Sequence, residues 1–445
     1  MIRYEHCTIL TMDDKDTIIK DGSMVVANGK IISLGTESEM IKTYPQSARI
    51  DLGGRLVMPG LINNHFHLAQ SLFRGFSDDM TIVPWLFERI WPLQSAHDEK
   101  TFLAGARLAM LEMSKSGTTT FVESMVVNYG LDALFEEVSS SGMRGRLAKV
   151  VMEPREGSLL PPALTQELNS SIKEAKNCRR NVTNPDMVDI WLGPRWTGMY
   201  NPHLIEVVNG VMDDDGFIST IHFAEESADI EAMKADGYSS PGVFLKGSGM
   251  LDRRYLLIHC PRLGTGDLDI LAKGKVTIAH CPVSAMKMAM GYLDVPGLLE
   301  KGVAVGIGTD APACNNSSDL LAEIKTAALL HKHQLGRPDV LSAGLALGMG
   351  TRIGARSIFA EDIIGSLEVG KRADFITIDL DYAAPFPEYN LPSSVVYSLC
   401  GRDVRDVFVD GKQLVKDGLS LIYDEEKVRS DARQAMITLL KRTNL

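Results

Sequence analysis

Met58-Pro59-Gly60-Leu61-Ile62-Asn63-Asn64-His65-Phe66-His67 is an apolar run that ends in two histidines one residue apart. Side chains alternate faces along a β-strand, so as a strand end this stretch turns His65 and His67 to the same side. Two imidazoles on one side of a strand end are half a metal site. The plainer alternative is an exposed pair after a loop, and two ligands do not make a site. The remaining ligands must come from elsewhere in the chain.

Upstream, the texture is that of short strands and turns. Ser23-Met24-Val25-Val26-Ala27 meets Asn28-Gly29 and returns as Ile31-Ile32-Ser33-Leu34, a strong hairpin signal. Gly53-Gly54 then turns the chain into the opening stretch. Downstream, apolar runs alternate with segments of helical periodicity such as Thr101 to Ser114 and Leu131 to Ser139. The predicted strands are Val57 to His65, Thr118 to Glu123, Arg146 to Met152 and Val188 to Leu192. Four more follow at Phe217 to His222, Tyr255 to His259, Lys275 to His280 and Val303 to Gly308. Eight strands alternating with helices predict an α/β fold, a (β/α)8 TIM barrel. A doubly wound sheet is the runner-up. Gly306-Ile307-Gly308 imitates a dinucleotide fingerprint, but it comes late, with no βαβ unit after it.

Past Ile363 the β texture returns. Phe375 to Ile378 is followed by a hairpin of Val404 to Val409 and Gln413 to Val415 around Asp410-Gly411. The expectation is a small β-sandwich domain assembled from both chain ends, residues 1–57 and 363–424, around a barrel of residues 58–362. A C-terminal helix within 425–445 docks outside.

The chain has 445 residues and a formal net charge of −11. That charge argues against a phosphate-backbone partner, so no nucleic acid is expected. No apolar span is long enough for a membrane, and no signal core follows Met1, so the expected location is the cytoplasm. The six cysteines are scattered without zinc-ribbon spacing, which suits a reducing compartment.

Catalytic groups of such barrels sit at the C-terminal strand ends. Found there are His65, His67, Glu123, Arg195, His222, His259, His280 and Asp310, including five of the ten histidines. His280 reads equally well as a satisfied core histidine. His97, His203, His331 and His333 read as surface or helix positions. Three imidazoles and a carboxylate suit one divalent ion, zinc first and ferrous iron next, which ionises water near neutral pH. Glu225, three residues past His222, is placed to shuttle a proton, or else is a solvated loop acid beside Glu226. Asp310 ends an apolar strand, where an unpartnered carboxylate is costly.

These segments, with Leu72-Phe73-Arg74-Gly75, Ser116-Gly117-Thr118-Thr119-Thr120, His280-Cys281-Pro282 and Gly365 to Asp374, resemble the amidohydrolase superfamily. The branch is that of triazine hydrolases, guanine and cytosine deaminases, and adenosylhomocysteine/methylthioadenosine deaminases. The resemblance implies that His65, His67, His222 and Asp310 bind one metal ion. It implies Glu225 as the proton shuttle, His259 beside the metal and near substrate, and Asp310 as a further proton acceptor. No lysine ends the fourth strand, so a carbamate-bridged metal pair is not expected. The implied activity is hydrolytic deamination of an amino-substituted nitrogen heterocycle. A triazine-type chlorohydrolase or alkylaminohydrolase, or an adenosylhomocysteine/methylthioadenosine-type deaminase, is the alternative. The resemblance also implies a homo-oligomer.

One departure bears on substrate. Where the thioether-nucleoside deaminases carry histidine after proline, this chain has Gly193-Pro194-Arg195-Trp196. Arg195 and Gln70 resemble guanine deaminases instead and suit an oxo-purine, pterin or related ring, since arginine is a directional donor to a ring oxygen. Otherwise Arg195 pairs with an acid such as Glu123. Trp85 and Trp196 offer flat faces for stacking, or fill core.

Overall fold

Gly60 divides the decisive stretch between two sheets. In the computed structural model, which describes residues 1–126, 129–153, 160–195, 202–380, 389–443 and 445, the expected strand from Val57 to His65 is two strands. Leu56–Pro59 pairs in parallel with Ile2–Leu10 and antiparallel with Phe375–Ile378. Leu61–Phe66 pairs instead with Thr118–Val126. A Cβ on Gly60 would lie 2.2 Å from Thr119 Cγ2, so a side chain has no room at the crossing. Periodicity could not show this break, because the run is buried on both sides of it.

Both chain ends contribute to one mixed sheet. Among the described residues it has nine strands: five within residues 2–59, then Phe375–Ile378, Val404–Val409, Lys412–Lys416 and Leu419–Ser420. Its hydrogen bonding is continuous, so the layers expected of a sandwich belong to one sheet. Alternation along the strands serves two cores. Val57, Phe375 and Phe408 join the sheet's own cluster with Tyr4, whereas Leu56, Met58, Ile376, Val407 and Val409 join the barrel core. Tyr4 meets Phe375 and Phe408 edge-on at 4.9 and 5.3 Å, and those two rings stack at 4.3 Å. The hairpin expected at Asn28-Gly29 forms, with φ of 51° and 76° at the two turn residues.

The second sheet holds eight parallel strands in sequential order. They are Leu61–Phe66, Thr118–Val126, Arg144–Val151, Val188–Pro194, Ser219–Phe223, Tyr255–His259, Thr277–His280 and Val305–Ile307. The last strand has only three residues, and side chains finish the closure. Asn63 Oδ1 accepts from Thr309 N at 3.0 Å, and Asn63 Nδ2 donates to Thr309 Oγ1 at 2.8 Å. Asp310 N donates to His65 O at 3.0 Å. Gly306 and Gly308 allow this approach, since added Cβ atoms would lie 2.4 Å from Asn64 Cγ and 2.7 Å from His65 Cβ.

The C-terminal helix, Glu425–Thr443, lies on Glu99–Lys115 and is tied by Lys115–Glu425 and Arg442–Asp98 ion pairs. No described helix is long and apolar enough to cross a membrane. All six cysteines are free thiols.

A buried ion pair joins the two sheets. Arg144, opening the third barrel strand, donates from Nε and Nη2 to Asp374 Oδ2 and Oδ1 at 2.5 and 2.8 Å, and also to Asp410. The Arg144 side chain is fully buried. Removing one partner of a buried pair costs more than replacing both by apolar groups. Asp374→Ala is therefore expected to destabilise the protein by about 3–5 kcal/mol, read as a lower denaturant midpoint. The Arg144→Leu/Asp374→Leu double variant should lose less.

Candidate active site

Alternation along the first barrel strand sends its side chains to opposite sides. Asn64 turns to the helix Arg352–Ser357, where Nδ2 donates to Gly354 O and Ser357 Oγ. His65 and His67 turn the other way, His67 still on extended backbone at φ −128°, ψ 95°. His222 from the fifth strand, His259 from the sixth and Asp310 after the eighth point into the same space. Left-handed backbone at Ala224, His259, Cys260 and Asp310, with φ between 48° and 67°, turns the chain sharply at these three strand ends. Such conformations are costly for non-glycine residues and persist where surrounding bonds over-determine them.

The donor atoms converge. His65 Nε2 and His67 Nε2 lie 3.2 and 3.6 Å from Asp310 Oδ1, and His67 Nε2 lies 3.3 Å from His222 Nε2. Two overlapping triads, His65–His67–His222 and His65–His259–Asp310, each have their ligand atoms within 4.8 Å of one another. Ser124 Oγ, 2.6 Å from His65 Nδ1, fixes that ring and leaves Nε2 to the cluster. His65 Nε2 is buried without a hydrogen-bond partner, as are His67 Nδ1, His259 Nδ1 and Glu225 Oε2. Buried lone pairs without donors are expensive, and a cation within the cluster would engage His65 Nε2, which faces it.

Electrostatics prepare the same role. Burial first, then neighbouring imidazoles and the Arg195 guanidinium, hold His67 and His222 well below the usual imidazole range. Burial likewise pushes His259 down to about 3. All three are neutral near pH 7, the form that offers a lone pair to a metal. Burial alone would raise the Asp310 carboxyl, but the facing His65, His259 and His67 hold it well below the carboxylate range. Glu225 goes the opposite way, to about 8, because burial outweighs the attraction of Arg195. Its Oε1 lies 3.5 Å from His259 Nε2, and it is no solvated loop acid.

Arg195 is half-buried, with Nη1 3.0 and 3.1 Å from the two ring nitrogens of His222. Glu123, the acid considered for it from sequence, accepts from Leu68 N at 2.5 Å. Gln70 lies in the turn Leu68–Phe73 directly after His67, its Nε2 3.4 Å from Gln94 Oε1. Trp85 is buried at the start of the π-helical segment Trp85–Ile90. Trp196 lies outside the described residues. His280 is buried but turned to a second histidine, its Nε2 3.3 Å from His331 Nε2. One expectation fails: His97 is neither a surface nor a helix position, whereas His331 is the expected helix residue, though buried. His97 is buried with Nε2 donating to Ala69 O at 2.8 Å, and His331 is buried between His280 and Tyr292. His203 and His333 are exposed. Ser124 was not anticipated, although it directly follows the strand-end Glu123.

Comparison with known proteins agrees with this architecture. Residues 56–414 match the amidohydrolase family, so the chain belongs to that family and is a hydrolase of its kind. A 5'-deoxyadenosine deaminase of Methanosarcina acetivorans is 38% identical over 455 residues, covering 100% of this chain and 99% of its own. A 5-methylthioadenosine/S-adenosylhomocysteine deaminase of Pelotomaculum thermopropionicum is 33% identical, covering 99% of each chain. The zinc-bound structure of an adenosine deaminase from Xanthomonas campestris superposes with a TM-score of 0.92 at 26% identity, covering 99% of this chain and 98% of its own.

Protein purified without chelator is expected to carry about one divalent ion per chain. His67→Ala should lose most of it while keeping the wild-type fold. Elemental analysis beside circular dichroism checks both.

Proposed function

We propose that this chain is a metal-dependent hydrolytic deaminase that replaces the exocyclic amine of an adenosine-type purine nucleoside with oxygen. In the balanced reaction, water adds to the amine-bearing ring carbon, its oxygen stays there, and the carbon–nitrogen bond breaks to release ammonia. His65, His67, His222 and Asp310 would hold the ion, zinc by the precedent of the Xanthomonas structure. Such an ion supplies a Lewis acid and lowers the pKa of water towards neutrality.

The observation that carries the reading is the placement of Glu225. An amine departs readily only when protonated, and burial keeps the Glu225 carboxyl protonated near pH 7. His259, 3.5 Å from Glu225 and 3.7 Å from Asp310, stands where it can donate to the oxygen that develops charge. Asp310 remains ionised and can take the proton that water gives up. Gln70 Oε1 and Trp85 Nε1 are buried without hydrogen-bond partners, polar atoms that a bound heterocycle could engage.

Full-length likeness to deaminases of deoxyadenosine and thioether nucleosides supports the adenosine class over the oxo-purine or pterin ring favoured by Arg195 and Gln70. The oxo-ring remains the second reading because Arg195 stands against His222, and a guanidinium there can donate to a ring oxygen. Triazines carrying chloride have less use for a protonated Glu225.

Ammonia release across adenosine-type nucleosides, guanine, pterins, pyrimidines and triazines tests the assignment. The expected result is turnover of adenosine-type nucleosides above the rest. Preference for guanine or a pterin, abolished in Arg195→Met, would establish the second reading. Glu225→Gln should keep its metal while kcat falls about 100- to 10,000-fold; near-normal turnover would assign the proton to another group.

A further inference from the structure

Asp310 is held on left-handed backbone, φ 59°, at the seam of the barrel. Its orientation depends on what grips the Thr309–Asp310 peptide. The Asp310 N–H goes to His65 O, and Asn63 binds the Thr309 N–H and hydroxyl. The Thr309 carbonyl accepts from Asn315 Nδ2 at 2.7 Å. That same Nδ2 donates at 2.8 Å to Glu323 Oε2 on the outer helix Leu320–Leu335. The other Glu323 oxygen, Oε1, accepts at 2.9 Å from Val283 N at the start of the short helix Pro282–Lys287 after the seventh strand.

Glu323 is 1% exposed and lies away from the groups assigned to chemistry. Burial raises its carboxyl to about 8, and both of its oxygens are used as acceptors, one by each partner. Glutamine would keep one acceptor and set its amide N–H2 against a second donor. We propose that Glu323 is a positioning residue that, through Asn315 and the Thr309 carbonyl, fixes the Asp310 carboxylate for metal binding. This rests on the reading of Asp310 as a ligand. Partners that orient a ligand typically change metal affinity or activity by about 10–100-fold when removed.

The test titrates apo protein with Zn2+ against a competing chelator, for wild type, Glu323→Gln, Asn315→Ala, the double variant and Asp310→Ala. Melting temperature, kcat and KM are measured alongside. The expected result is zinc affinity weakened about 10–100-fold in Glu323→Gln, kcat lowered and KM little changed. Because both residues act through one peptide, the double variant should be no weaker than Asn315→Ala. Wild-type affinity in a folded Glu323→Gln, or independent multiplying losses in the double variant, would overturn the positioning role. If Glu323→Gln fails to fold, the comparison passes to Asn315→Ala, and wild-type affinity there overturns the role equally. Retention of zinc by Asp310→Ala would instead overturn the ligand reading on which the role rests.

Discussion

The structure depends on closing a parallel sheet whose last strand is too short to close it alone. Val305–Ile307 offers three residues, so Asn63 completes the seam with a side chain that imitates strand pairing at Thr309. The neighbouring contact, Asp310 N to His65 O, joins two members of the cluster by their backbones. The seam that closes the barrel therefore also holds two members of the donor set together. Gly306 and Gly308 matter here for their missing side chains, which would otherwise hold the strands apart.

Much of this was legible before any coordinates. An apolar run that ends in histidine or aspartate is an unusual place for a polar group, and each such run proved to be a barrel strand. His65, His67, His222, His259 and Asp310 could be gathered on that ground because strand ends of a barrel share one rim, and Glu225 by its place three residues past His222. What stayed hidden depended on packing between distant segments. The break at Gly60 is invisible because Leu56–Pro59 is buried on both faces and reads like the strand after it. His97 and His331 sit in stretches of ordinary helical texture, and only tertiary contacts with Ala69, Tyr292 and His280 bury them. Glu323 looks like any helix acid until the loops it binds are folded over it. The substrate expectation leaned on the single departure at Arg195, and full-length likeness to adenosine-type deaminases carries more weight than one position.

Arg195 has an electrostatic effect whatever ring is bound. A guanidinium against His222 opposes protonation of that ring and of His67 and His259 nearby. It works with burial to keep imidazoles neutral, and it attracts Glu225 and Asp310. The two carboxyls nevertheless diverge. Asp310, faced by three imidazoles, stays an anion, whereas Glu225 is shifted by burial towards the neutral acid. Two buried acids near one another are thus held in opposite protonation states.

The sheet shared by both chain ends bears on how the molecule is made. Tyr4 donates its hydroxyl proton to Gly411 O, 407 residues further along, and Arg144 waits for Asp374 and Asp410. On the ribosome, the N-terminal strands emerge long before the strands that complete their sheet. Meanwhile Leu56–Pro59 presents an unpaired edge and apolar faces, features that invite aggregation in partly folded chains. The sheet is complete only once the strands between Phe375 and Ser420 have been made, and they seal strands synthesised some 300 residues or more before them.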